Sequence, residues 1–78
     1  MEIPIISPKK AIKSFIYLGY KEVRQRGSHV RLIHSNKIIH KPITIPDHGK
    51  NIKPLLLIKI IKDAGLNLTE FKEILNKI

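Results

Sequence analysis

The apolar residues of this chain change their spacing twice, and that switch constrains the fold more than any other feature. From Ser7-Pro8 to Gly19 they recur at helical spacing, with Ala11, Ile12 and Phe15 on one face and Lys9, Lys10 and Lys13 off it. Ser7 suits an N-cap, Pro8 the first helical position where a missing N–H costs nothing, and Gly19 a left-handed stop. The spacing predicts a helix over Pro8–Leu18. The period then becomes two. Tyr20, Val23, Val30 and Leu32 alternate with Glu22, Arg24, His29 and Arg31, and Arg26-Gly27-Ser28 interrupts the run as the turn of a hairpin. A second turn is expected at Ser35-Asn36-Lys37. Ile39, Ile43 and Ile45 mark a third strand, with Pro42 pointing to an edge position or a bulge. Pro46-Asp47-His48-Gly49 reads as a loop. A second helix is expected from Pro54 to Ala64, stopped by Gly65, and Asn67 with Glu70 fits the cap of a last short helix, Leu68–Lys77.

This order gives an α+β fold: a three-stranded antiparallel sheet with two main helices on one face, the layout of double-stranded-RNA-binding domains. Seventy-eight residues support one small core, so residues 1–78 read as a single domain. The chain has no cysteine, which excludes a disulfide framework and a thiolate zinc site. Met1-Glu2-Ile3-Pro4-Ile5-Ile6 carries an acid where a signal peptide wants bases, and no run of about 18 apolar residues occurs. The expected compartment is the cytoplasm, with no membrane partner. The second helix carries Leu55, Leu56, Leu57, Ile58, Ile60 and Ile61, more than the stripe one sheet covers. Either the last helix closes over it or a second chain does, a homodimer included.

Charge narrows the function. Fifteen Lys and Arg against six Asp and Glu leave a net charge of +9, a footprint for polyanions, nucleic acid before membrane surface. A solubilising lysine-rich surface would intersperse both signs. Between Glu22 and Asp47 there is instead no acid, while Arg24, Arg26, Arg31, Lys37 and Lys41 all fall there. Arginine's forked guanidinium suits phosphate oxygens better than a lysine's point charge.

Strand parity places His29 and Arg31 on the face opposite Val30 and Leu32, and Arg24 shares that polar face. A histidine among guanidinium groups suits phosphodiester chemistry, because imidazole titrates near neutral pH and arginines stabilise charge on phosphorus. RNA supplies its own nucleophile in the 2′-hydroxyl. The same spacing also fits a surface histidine that only donates a hydrogen bond to phosphate. His29, His34, His40 and His48 show no metal-ligand spacing, Ser28 has no obvious activating base, and no glycine-rich phosphate loop is present, so neither metal nor cofactor is expected.

Leu18-Gly19-Tyr20 followed by Arg24-Gln25-Arg26-Gly27-Ser28-His29 resembles the Gly-aromatic, Arg-x-x-Gly-Ser-His signature of the HicA mRNA interferase toxins. Ile43-Thr44-Ile45-Pro46-Asp47-His48-Gly49 resembles the family's second marker, a β-branched strand ending in Pro-x-His. Ile60-Ile61-Lys62-Asp63-Ala64-Gly65-Leu66, followed by Glu70-Phe71, resembles its closing helical segment. The resemblance implies a double-stranded-RNA-binding-like fold, metal-independent cleavage of mRNA and a HicB-like antitoxin that masks the toxin. It puts the catalytic role on His29, with Arg24, Arg26, Ser28 and Arg31 on phosphate and His48 as an accessory RNA contact or loop anchor. Where the family has Gly-Thr and a basic residue at the start of the second helix, this chain has Leu55, Leu56 and Ile58, which points to a protein contact there. The expected function is a ribonuclease toxin of a toxin–antitoxin pair. The alternatives are a non-catalytic RNA-binding module of the same fold and, lower, a DNA-binding regulator, for which no helix-turn-helix pair stands out.

Overall fold

The computed structural model describes residues 2–78; Met1 lies outside it. The elements are α1 (Pro8–Leu18), β1 (Lys21–Arg26), β2 (His29–Ile33), β3 (Ile43–Pro46), α2 (Pro54–Asp63) and α3 (Leu68–Leu75). Their order and type are those expected, and α2 and α3 end slightly earlier. The Ser7 hydroxyl accepts from the Lys10 N–H at 3.2 Å, and Gly19 closes α1 at φ 117°. Asn67 and Glu70 form a reciprocal capping box, side-chain oxygen to backbone N–H at 2.8 and 3.0 Å.

The strands pair antiparallel in the order β1-β2-β3. Val30 and Leu32 face Ile45 and Ile43 across the β2–β3 ladder, and all four are buried. With Ala11, Phe15, Tyr20, Ile52, Leu57, Ile60, Ile61, Ala64 and Phe71 they form the core. Phe15 joins the layers, its ring 5.4 Å from Phe71 and 5.8 Å from Tyr20.

Two expectations need correction, and one that was open is decided. Val23 is not a core residue. A bulge between Glu22 and Arg24 leaves it unpaired, β1 is exposed along its whole length, and Val23 is 54% exposed. Ile39 does not belong to the third strand. Residues 37–39 form a turn, the Asn36 side chain accepts from the Ile39 N–H, and Pro42, which has no N–H to give a ladder, delays the strand until Ile43. The surplus of apolar side chains on α2 is mostly covered from within. Leu57, Ile60 and Ile61 are in the core and Ile58 is half-buried, which leaves Leu55 (83% exposed) and Leu56 (37%) as the outward pair.

The connection between β2 and β3 is tied to the end of α2. Lys41 N–H donates to Asp63 O at 3.0 Å, His40 Nδ1–H donates to Ala64 O at 2.6 Å, and the buried Tyr20 hydroxyl donates to Lys41 O at 2.7 Å. Burial, then the nearby Asp63 carboxylate, push the Tyr20 phenol from its ordinary 10 up to about 12. Because this folded value is raised, the phenol's contribution is complete below pH 10 and is lost as pH climbs through 12. The parent should therefore lose up to about 2 to 3 kcal/mol of stability over that window. Tyr20→Phe should be about 1 kcal/mol less stable at pH 8 for the lost hydrogen bond, yet lack that alkaline loss. Urea unfolding at stepped pH compares the two, and parallel pH curves would refute the assignment.

Candidate active site and nucleic-acid interface

The face of the sheet away from the helices carries the polar half of each alternation. On β2, His29 and Arg31 stand between the buried Val30 and Leu32. On β3, Thr44 and Pro46 stand opposite Arg31 and His29 respectively. The β1 bulge has a specific consequence. Without the extra residue, Val23 and Gln25 would oppose Arg31 and His29; with it, Arg24 pairs with Arg31 and Arg26 with His29. Bulges often re-aim side chains beside functional sites, and here the shift puts two arginines on the histidine's face.

These residues line a shallow cleft of about 230 Å³: Arg24, Arg26, His29, Arg31 and Thr44. Arg31 Nη1–H donates to Thr44 Oγ1 at 3.0 Å, which fixes one guanidinium. Thr44 was not singled out from the sequence, although its parity opposite the buried Ile43 and Ile45 was the available signal. Like charges directly opposite on a sheet destabilise it, and the Arg24–Arg31 pair concentrates positive charge on this face at that cost. Ser28 is half-buried beside the turn, and its carbonyl accepts from the Asp47 N–H at 2.5 Å. That bond carries the β2–β3 pairing one step beyond Pro46 and brings His48 over the same face, with its ring 5.8 Å from His29 at an interplanar angle of 81°. His48 also lines a second, more apolar cleft of about 310 Å³ with Pro46, Lys50, Ile52, Lys53 and Leu56. All six residues singled out from the sequence, Arg24, Arg26, Ser28, His29, Arg31 and His48, thus fall on one face or at its edge.

The other two histidines are structural. His34 Nδ1 accepts from the Asn36 N–H at 2.9 Å and its Nε2–H donates to Leu18 O at 3.2 Å. A Cβ at Gly19 would stand 2.7 Å from that Nε2, so the glycine serves a close approach as well as a positive φ. His40 is bonded to Ala64 as described, and the His34 and His40 rings lie 4.3 Å apart beside Tyr20. Among the described residues no group of three or more His, Cys, Asp or Glu is placed to hold a metal ion.

A family model described as the HicA toxin of bacterial toxin–antitoxin systems matches residues 8–66, well over half of the chain. The chain belongs to the HicA toxin family. The match runs from the start of α1 through Leu66 and contains every residue of the arginine cleft, while α3 lies beyond it. This HicA protein is a toxin of a toxin–antitoxin pair, and an antitoxin is its partner class. No curated protein and no solved structure significantly matches the chain. No described helix is long and apolar enough to cross a membrane.

Proposed function

We propose that this HicA toxin is an endoribonuclease of the mRNA interferase kind, acting in the cytoplasm on RNA without a metal ion or cofactor. The observation that carries the reading is the cleft in which Arg24, Arg26 and Arg31 surround His29 on the open face of the sheet. Guanidinium groups hold and neutralise the phosphate, His29 transfers a proton, and the RNA 2′-hydroxyl attacks the adjacent phosphorus. The family membership and the layout of helices over one sheet face support the same reading, as does the family's association with toxin–antitoxin pairs. The direct test is single-turnover cleavage of a defined RNA in the presence of EDTA. A parent protein that binds RNA and never cuts it would leave the non-catalytic RNA-binding module as the better reading.

Binding itself should be steeply salt-dependent. If about four phosphates are neutralised by the cleft and its neighbours, a log–log plot of affinity against salt should slope at about −3 on single-stranded RNA. A flat plot would remove nucleic acid from the reading.

We assign the exposed Leu55 and Leu56 to the antitoxin, a HicB-like protein. They project from the start of α2, and Leu56 lines the cleft shared with His48, so a partner seated there would sit beside the site it masks. Leu55→Lys should weaken that association by tenfold or more, with the fold intact, an effect on the order of a central apolar interface residue. Leu57→Lys should instead unfold the chain, because Leu57 is fully buried. Size measurement of the toxin alone, with and without Leu55→Lys, tests the rival occupant, a homodimer through the same residues.

A further inference from the structure

The four histidines of the chain divide into two pairs with opposite characters. His34 and His40 donate to backbone carbonyls at the end of α1 and the end of α2, and His34 also accepts from the Asn36 N–H. The side chains of His29 and His48 have no protein hydrogen bond among the described residues, both are exposed, and their rings stand nearly perpendicular 5.8 Å apart. The two rings therefore meet edge to face where the arginine cleft, lined by His29, adjoins the cleft lined by His48. One histidine lines the cleft of Arg24, Arg26 and Arg31, and the other lines the neighbouring cleft with Lys50 and Lys53. A phosphate bridging the two clefts would sit against both rings.

We infer that His48 is a second catalytic residue, and that His29 and His48 act as a base–acid pair on the two sides of one scissile phosphodiester. The inference rests on the ribonuclease reading and deepens it. In-line displacement puts the attacking and leaving oxygens on opposite sides of phosphorus, so one fixed imidazole does not reach both within a single step. With two, one imidazole accepts the proton of the 2′-hydroxyl as the bond from that oxygen to phosphorus forms. The bond from phosphorus to the 5′-oxygen breaks, its electron pair stays on that oxygen, and the other ring, as imidazolium, delivers a proton to it. The products are a 2′,3′-cyclic phosphate and a free 5′-hydroxyl, and proton exchange with water returns both rings to their starting states. The charged groups around the pair are Arg24, Arg26 and Arg31 on the sheet and Lys50 and Lys53 in the second cleft; Asp47 immediately precedes His48. A pair of titratable groups set in unlike surroundings is the usual basis for dividing acid and base roles.

The experiment is a pH–rate profile of single-turnover cleavage, with EDTA, for the full chain and for His48→Ala, His48→Gln and His29→Ala. The parent should give a bell. His48→Ala and His48→Gln should each lose about a hundred- to ten-thousand-fold, keep RNA affinity within a few-fold, and show one limb in place of two. A second substrate carries sulfur in place of the 5′-bridging oxygen, a leaving group that departs without a proton. It should restore the variants of one histidine and not of the other, and so name the acid. The pair is overturned if His48→Gln cleaves at the parent rate, if its profile keeps both limbs, or if the sulfur substrate rescues neither histidine. A parent that cleaves while His48→Ala cleaves equally well fails only this inference; a parent that never cleaves fails the ribonuclease reading, and the pair falls with it.

Discussion

His29→Ala is expected to reduce single-turnover RNA cleavage by about a hundred- to ten-thousand-fold, the usual contribution of a positioned proton-transfer group. Its fold and most of its RNA affinity should be retained. The separation follows from the structure. The packing of β2 is carried by Val30 and Leu32, which are buried against Ile45 and Ile43, while the exposed His29 side chain makes no protein hydrogen bond among the described residues. On the proposed function, affinity is spread over Arg24, Arg26, Arg31 and the lysines around them, so loss of one imidazole should change it little. His34→Ala and His40→Ala are the informative comparisons. Each removes a side chain bonded to the backbone, so each should lower stability while leaving the rate of the chemical step near that of the parent. Equal cleavage by the parent and His29→Ala would take the proposed mechanism away from this site.

Much of the architecture is legible in the sequence because its signals are local. Ser7, Pro8 and Gly19 bound α1, Asn67 and Glu70 start α3, and the alternation around Val30 and Leu32 orients β2. What is not legible depends on register. The expectation that Arg24 shares the face of His29 is met, but by way of a bulge at Val23 that no local residue announces. Simple alternation treats Val23 as apolar and therefore inward, whereas the bulge leaves it unpaired on a strand that is exposed throughout. His48 shows the same gap. Placed in a loop, it appears unrelated to His29. Once Pro46 is known to pair with His29, the parity of Thr44, Pro46 and His48 puts all three on the face of His29. The apolar run of α2 is misleading for a different reason. Hydropathy alone does not separate Leu57, which fills the core, from Leu55 beside it, which meets solvent.

Gly65→Ala is expected to cost about 3 kcal/mol or more, a large fraction of the stability of a domain of this size. Two terms combine. Gly65 lies at φ 78°, a left-handed conformation that costs an alanine about 1 kcal/mol. In addition, a methyl at that position would be driven into the backbone carbonyl of Ile39, with the His40 ring 3.3 Å away. Backbone does not yield as a flexible side-chain tip does, so relief requires the β2–β3 connection to move away from α2. That movement breaks the bonds from Lys41 N–H to Asp63 O and from His40 Nδ1 to Ala64 O, and with them the seat of the Tyr20 hydroxyl. Gly27→Ala is the matched control. Gly27 also has a positive φ, 59°, but a methyl there meets nothing within 4 Å, so only the conformational term of about 1 kcal/mol should appear. Urea unfolding of the two variants reads the difference. Equal losses would show that the contact between the β2–β3 connection and the end of α2 contributes nothing beyond the glycine's backbone freedom.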